Sequence, residues 1–202
     1  LGQNMHVATR NATCMALATN QNISVKRNDR IVKDIPENQE QPFHPIYRYA
    51  VITDSEEGLI LVDVDTLSDG EFRNNFFKRA VTWNEGNVLA GARHVTLAGH
   101  IAYVTTSAGL AVVDLDDPLH PKLTANIPLK DARASAVQFR YLWVSDVEGL
   151  KLFDVTDLRH PVAQPKGNLA LANAQRIYLA RTYAYVAGKQ EAQGVCLGRQ
   201  SG

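Results

Sequence analysis

Glu57-Gly58-Leu59-Ile60-Leu61-Val62-Asp63-Val64 decides how this chain is read, because it returns twice. The copies are Ala108-Gly109-Leu110-Ala111-Val112-Val113-Asp114-Leu115 and Glu148-Gly149-Leu150-Lys151-Leu152-Phe153-Asp154-Val155. A degraded fourth copy starts at Gln193-Gly194-Val195-Cys196-Leu197, and the glycines stand 51, 40 and 45 residues apart. Self-similarity at such a period is the signature of a repeat architecture.

A second strand precedes each glycine: Tyr49-Ala50-Val51-Ile52-Thr53, Ile101-Ala102-Tyr103-Val104-Thr105, Tyr141-Leu142-Trp143-Val144-Ser145 and Tyr183-Ala184-Tyr185-Val186-Ala187. These runs are short and rich in aromatic and β-branched residues, and the glycine after each supplies the positive φ that a hairpin loop needs. A third strand lies further upstream, at His94–Leu97, Ala136–Phe139 and Arg176–Leu179, with turns at Ala98-Gly99-His100, Arg140 and Ala180-Arg181-Thr182. A fourth follows an Asp-rich turn, as in Lys122–Ile127. That turn also repeats: Asp114-Leu115-Asp116-Asp117-Pro118-Leu119-His120-Pro121 aligns with Asp154-Val155-Thr156-Asp157-Leu158-Arg159-His160-Pro161. Proline cannot donate to a ladder and belongs at strand ends, while Asp and Thr side chains hold the turn through nearby amides. Four short antiparallel strands per 40 residues make one propeller blade, so the pattern predicts an all-β fold, a β-propeller of four-stranded antiparallel blades.

Leu59-Ile60-Leu61-Val62-Asp63 and Leu110-Ala111-Val112-Val113-Asp114, with the Asp117-Pro118-Leu119-His120-Pro121 turn, resemble the LVIVD-repeat family of β-propellers over residues 43–198. Residues 1–42 show no clear repeat and are read as an N-terminal arm or degenerate blade, with residues 43–202 as the propeller. About four blades, the last incomplete, are few for a closed ring. The chain is therefore expected to be an incomplete ring: part of a longer propeller, or one that pairs with another chain. The resemblance implies a bacterial or archaeal protein in a periplasmic or extracellular setting. Some such proteins are attached to larger modules, including cytochromes. It supplies no catalytic motif.

Composition narrows the function classes. Lys+Arg and Asp+Glu both number 21, so no charge excess points to nucleic acid or to a cationic partner. No apolar run is long enough to span a bilayer, and no signal peptide is visible at Leu1–Gln3. Cys14 and Cys196 belong to no C-x-x-C motif, which argues against a zinc site or attached haem within these residues; whether the two pair stays open. No P-loop, G-x-S-x-G or H-E-x-x-H motif occurs, and no catalytic residue is assigned.

Two groups of residues stand out by position. His44, Arg93, His94, Gln175 and Arg176 fall at the start of the expected innermost strands, with His94, Ala136 and Arg176 in one phase and Arg93, Ser135 and Gln175 in the phase before it. They are expected to converge at the mouth of the central channel, either to bind a small ligand or as a solvated polar rim. The 51-residue spacing implies an insertion of about eleven residues between Leu67 and Val88, carrying Phe72, Phe76, Phe77, Arg79 and Trp83. Aromatic and arginine side chains on an insertion suit a contact with a protein partner. Asp63, Asp114 and Asp154 are expected to cap turns, Tyr103, Trp143 and Tyr185 to fill the space between blades, and His120 and His160 to sit apart on exposed turns, with no metal bound.

The function expected is a non-catalytic scaffold or protein-interaction module within a larger extracytoplasmic protein or complex. Its partners would be another protein or further blades of the same one. The alternatives are the propeller portion of a multihaem redox assembly, with haem in an attached module or partner, and a propeller that binds a small ligand or metal.

Overall fold

The computed structural model describes residues 6–18, 33, 43–67, 70–188 and the strand at 192–196. Residues 19–42 of the expected N-terminal arm or degenerate blade, Lys33 excepted, and residues 197–202 of the incomplete last blade lie outside the described residues.

Four antiparallel sheets follow one another along the chain. The first holds β1 (Ala12–Leu17), β2 (Tyr49–Asp54), β3 (Gly58–Asp63) and β4 (Lys78–Trp83). The second holds β5 (His94–Ala98), β6 (Ile101–Thr106), β7 (Gly109–Asp114) and β8 (Lys122–Pro128). The third holds β9 (Ala134–Gln138), β10 (Tyr141–Ser145) and β11 (Gly149–Asp154), with its outer edge made of two fragments, β12 (Val162–Ala163) and β13 (Leu169–Ala170). The fourth holds β14 (Arg176–Ala180), β15 (Tyr183–Ala187) and β16 (Ala192–Cys196). The first strands of the sheets, β1, β5, β9 and β14, lie side by side in that order, which is the arrangement of propeller blades around an axis. Among the described residues no comparable packing joins β14 to β1, so the ring is incomplete.

The inner strand of the first blade is β1, drawn from the stretch where no repeat is legible. It pairs along β2 from Ala12↔Asp54 to Leu17↔Ala50, with a bulge between Ala12 and Cys14. Cys14 carries a free thiol. The side chain of Cys196 lies outside the described residues.

Strand pairing corrects one register. His94 faces Thr105, Ala134 faces Ser145 and Arg176 faces Ala187. The third inner strand therefore starts at Ala134, two residues before the expected Ala136, and ends before Phe139. Phe139 sits at φ 55°, the same place in its hairpin as Gly99 at 60° and Arg181 at 53°. An exposed phenylalanine at positive φ is rare for a bulky side chain, so its residue type gives no sign of the turn.

The repeated glycine has a steric cause. A Cβ on Gly109, at φ 152°, would lie 2.1 Å from the Ile127 carbonyl oxygen, and one on Gly149, at φ 140°, would lie 2.0 Å from that of Leu169. The outermost strand passes so close that only hydrogen fits. The residue before each hairpin loop is a buried cap. Asp54 Oδ1 accepts from the Glu56 and Glu57 amides (2.8 and 2.9 Å), Thr106 Oγ1 from those of Ala108 and Gly109 (both 3.2 Å), and Asp146 Oδ1 from those of Glu148 and Gly149 (2.7 and 3.0 Å). Asp63, Asp114 and Asp154 cap the next turns as expected, accepting from the amides of Asp65, Asp116 and Thr156.

Both faces of each sheet are apolar, and alternate residues of the second strand point to opposite neighbours. Ala102 and Val104 pack back on the first sheet, while Ile101 and Tyr103 pack forward on the third. Leu142 and Val144 pack back on the second sheet, and Tyr141 and Trp143 forward on the fourth. Ala184 and Val186 pack back on the third.

Gly109→Ala and Gly149→Ala are expected to cost more than about 3 kcal/mol each, since backbone rather than side chain must move. Gly99→Ala, with open space around it, should cost only about 1 kcal/mol. Urea unfolding of the three variants measures the difference.

Candidate functional site

The starts of the inner strands gather most of the polar residues singled out in the sequence. Each start is fixed by an amide reaching the end of the second strand: Arg93 N–H donates to Thr105 O (2.8 Å), Arg133 N–H to Ser145 O (2.9 Å) and Gln175 N–H to Ala187 O (2.8 Å). Arg93, Arg133 and Gln175 are therefore equivalent, followed in phase by His94, Ala134 and Arg176. Ser135 and Ala136, expected in these phases, stand two residues further along the strand. Arg133 is the residue that sequence reading passed over. A signal was present: Gly91-Ala92-Arg93, Asp131-Ala132-Arg133 and Asn173-Ala174-Gln175 share a residue at positive φ (69°, 60° and 57°) followed by a buried alanine. Gly, Asp and Asn are the types that tolerate that conformation.

Asp131 bridges two blades by pairing with both Arg93 and Arg133. Burial pushes its carboxyl up, but the two guanidinium groups outweigh that and hold it below the usual carboxylate range. Arg133 also donates to Ala174 O at 3.2 Å, tying the third blade to the fourth. His94 accepts the Ser135 amide on Nδ1 at 3.3 Å. Burial, helped by the nearby Arg176 charge, depresses its pKa from 6.5 to about 4, so it is neutral near pH 7. This end of the blades carries three arginines, Arg93, Arg133 and Arg176, against Asp131, with Arg176 exposed.

His44 is not part of this group. It precedes β2 and lies at the opposite end of β5, stacked on His100 of the β5–β6 turn at 5.2 Å between ring centres. The expected convergence fails there because the inner strand of the first blade is β1, and His44 belongs to the connection after it. His44, His100 and Asp116 bring ligand-type atoms within 4.8 Å of one another, which makes them the described residues able to approach one metal ion together. The hydrogen bonds oppose that use. His44 Nδ1 accepts the Ile46 amide at 3.1 Å, so the neutral ring carries its proton on Nε2 and directs it to Asp116 Oδ1 at 3.2 Å. A metal-bound histidine instead donates from its second nitrogen. His100 Nε2 is further occupied by Arg159 Nη2 at 3.2 Å. His120 and His160 sit exposed in matching turns, each bonded to its own Asp117 or Asp157.

The insertion does not form one surface. Its extra residues divide between the β3–β4 connection, residues 64–77 against 115–121 in the next blade, and the β4–β5 connection, 84–93 against 129–133. Phe72 and Phe76 are exposed, whereas Phe77 packs on Ala50, Ile60 and Val62 on the outer face of the first sheet. Trp83 packs on the opposite face, in the core shared with the second blade. Arg79 bonds Glu57 Oε1 at 2.9 Å and reaches the Ala8 carbonyl.

The unfolded chain takes up a proton on His94 near pH 6.5 and the folded chain near pH 4, so protonation favours unfolding. The stabilising contribution is complete above pH 6.5 and is lost as pH falls toward 4. The loss is expected to be about 1–2 kcal/mol at this half-buried position, and His94→Asn should remove that part of the pH dependence of stability. Urea unfolding of both proteins between those pH values checks it.

Similarity to known proteins lies in the fold. No curated protein matches the sequence. The chain is similar in structure to the computationally designed Ika4 protein, with a TM-score of 0.61 at 8% identity over 98% of this chain and 100% of that one. It is similar over 76% of its length to 19% of PorZ, a surface component of the type-IX secretion system of Porphyromonas gingivalis (TM-score 0.46, 14% identity). A functionally unknown protein from Desulfotomaculum acetoxidans matches 77% of this chain with 64% of its own (TM-score 0.44, 11% identity). The family model of the LVIVD repeat matches residues 91–127, which span β5 and nearly all of the blade it opens. The chain thus carries an LVIVD repeat, set within a series of four-stranded propeller blades.

Proposed function

We propose that this chain is a non-catalytic propeller scaffold, a protein-interaction module acting within a larger periplasmic or extracellular protein or complex, with residues 43–202 and the β1 strand as its working unit. The observation that carries the reading is a difference in burial at one repeated position. Tyr103 is 0% exposed and Trp143 7%, but their equivalent Tyr185 is 51% exposed. On the other end, Met15 at 61% and Leu17 at 43% edge an apolar hollow that no described blade covers. Apolar area of this kind marks an interaction surface. The exposed Phe72 and Phe76 add a smaller candidate contact on the β3–β4 connection. No described helix is long and apolar enough to cross a membrane.

A second reading, the binding of a small anionic ligand, is favoured by Arg93, His94, Arg133, Gln175 and Arg176 sharing one end of the inner strands. It would use Arg176 first, since Arg93 and Arg133 already share Asp131. In a redox assembly, haem would belong to an attached module or partner.

Protein isolated from its source without denaturant should have a native mass above the 22.3 kDa of this chain. Its Tyr178–Ala187 amides should exchange more slowly with solvent than those of the isolated 202-residue chain. A native species of 22.3 kDa, with both end faces exchanging freely, would sink the scaffold reading.

A further inference from the structure

The last sheet leaves its forward face open and the first sheet leaves a hollow in its backward face, and the two are opposite halves of one interface that the chain already uses three times. At each junction, the forward-facing residues of a second strand meet the backward-facing residues of the next. Forward positions carry an aromatic ring in every blade: Tyr49, Tyr103, Tyr141 with Trp143, and Tyr183 with Tyr185. Backward positions never do: Ala50 and Ile52, Ala102 and Val104, Leu142 and Val144, Ala184 and Val186. The interior case is Tyr103, which lies buried in a cluster with Leu142 and Val144 and donates its hydroxyl to Leu158 O at 2.8 Å.

The hollow of the first sheet lies on its backward face, where Ala50 and Val62 are already buried. Ala50, Ile52 and Val62, with Met15 and Leu17 from β1, line a cavity of about 370 Å³ whose margins are covered by Val7 and Phe77. The open face of the last sheet is a forward face. Tyr178, Tyr183 and Tyr185 stand exposed side by side, with ring centres 6.5 and 6.4 Å apart. One face offers a hollow among aliphatic side chains of its sheet, lined also by Tyr47 and Phe77, and the other offers exposed rings. The chain does not bring them together itself, because Tyr185 and Met15 both remain more than half exposed.

Resting on the scaffold reading, we infer that the occupant of each face is a second copy of this chain, with the tyrosine face of one copy seated on the Ile52 face of the other. Such an interface is heterologous, and a heterologous contact gives a closed ring when its rotation closes. Two copies of four blades close at eight, within the four to eight blades of known propellers, whereas three copies would exceed it. The ring then contains two identical new junctions built on the rule of the existing three.

Sedimentation equilibrium or light scattering on the purified 202-residue chain tests this. The expected mass is twice 22.3 kDa, falling to 22.3 kDa in both Ile52→Asp and Tyr185→Asp. Tyr185 is exposed in the single chain and Ile52 lies at its surface hollow, so both variants should keep the strand signal in circular dichroism. If Ile52→Asp fails to fold, Tyr185→Asp decides alone. A dimer that survives either substitution overturns the inference, because it uses another surface or one face twice. A monomeric wild-type chain also overturns it. In that case a native mass above 22.3 kDa would keep the scaffold reading and assign the faces to further blades or to a foreign protein.

Discussion

The constraint on which this structure rests is that each four-stranded sheet is apolar on both faces. A single sheet of this kind cannot fold alone, since one buried face would leave the other in water. Stacking solves the problem for every sheet that has two neighbours. Ile101, Leu110 and Val112 on one side and Ala102, Ala111 and Val113 on the other are all essentially inaccessible. A strand buried at nearly every position, such as β6 or β7, with consecutive apolar residues through its middle, is the sequence expression of that double burial.

Stacking also dictates the small print of each blade. Blades converge at the axis, so their polar groups there must find partners in the next blade. Thr13 Oγ1 donates to Ala92 O at 3.0 Å, Thr96 Oγ1 donates to Ser135 O at 2.9 Å, and Ser145 Oγ reaches Gln175 O at 3.5 Å. The Asp131 bridge between Arg93 and Arg133, only partly exposed, belongs to the same set of polar contacts that join neighbouring blades near the axis. Further out, Arg159 of the third blade pairs with Asp114 of the second at 2.7 Å. The residues most suggestive of a ligand site are thus also residues that hold the stack. An anion arriving there would compete with Asp131 rather than enter an empty pocket.

Much of this was legible in the chain itself. The repeated Gly-Leu-x-x-x-Asp strand and the aromatic strand before it gave the blades, because a strand buried on both faces and a glycine under a passing backbone leave little choice of residue. Asp63, Asp114 and Asp154 were legible as caps for the same reason. What escaped notice did so where the backbone, not the side chain, carries the rule. Phe139 occupies a turn position filled by glycine in one sister hairpin, and that hid the register of β9 and with it Arg133. β1 escaped because an inner strand has only half its contacts in its own sheet, and its residues Ala12–Leu17 repeat no neighbour. Because β1, and not the stretch around His44, forms the inner strand of the first blade, His44 lies at the other end of the blades, against His100.

The fate of the repeated aromatic position completes the physical picture. Tyr103, Trp143 and Tyr185 occupy one phase, and sequence alone treats them alike. Burial separates them: the first two lie between blades and the third faces solvent. Selection for a packed ring explains an aromatic residue where it is buried, but these three exposed tyrosines, although their rings contact one another, carry the cost of exposed apolar surface. Nor do Tyr178, Tyr183 and Tyr185 serve the fourth sheet internally, since that sheet buries Ala184, Val186, Ile177 and Leu179 against the third. At the other end, Ala50, Ile52 and Val62 keep the small aliphatic pattern of the interior backward faces, with Val7 and Phe77 packed there and no described blade beyond them. Both ends thus obey a packing rule whose benefit requires a neighbour, and the asymmetry of that rule, rings forward and aliphatics backward, specifies the kind of neighbour each end accepts.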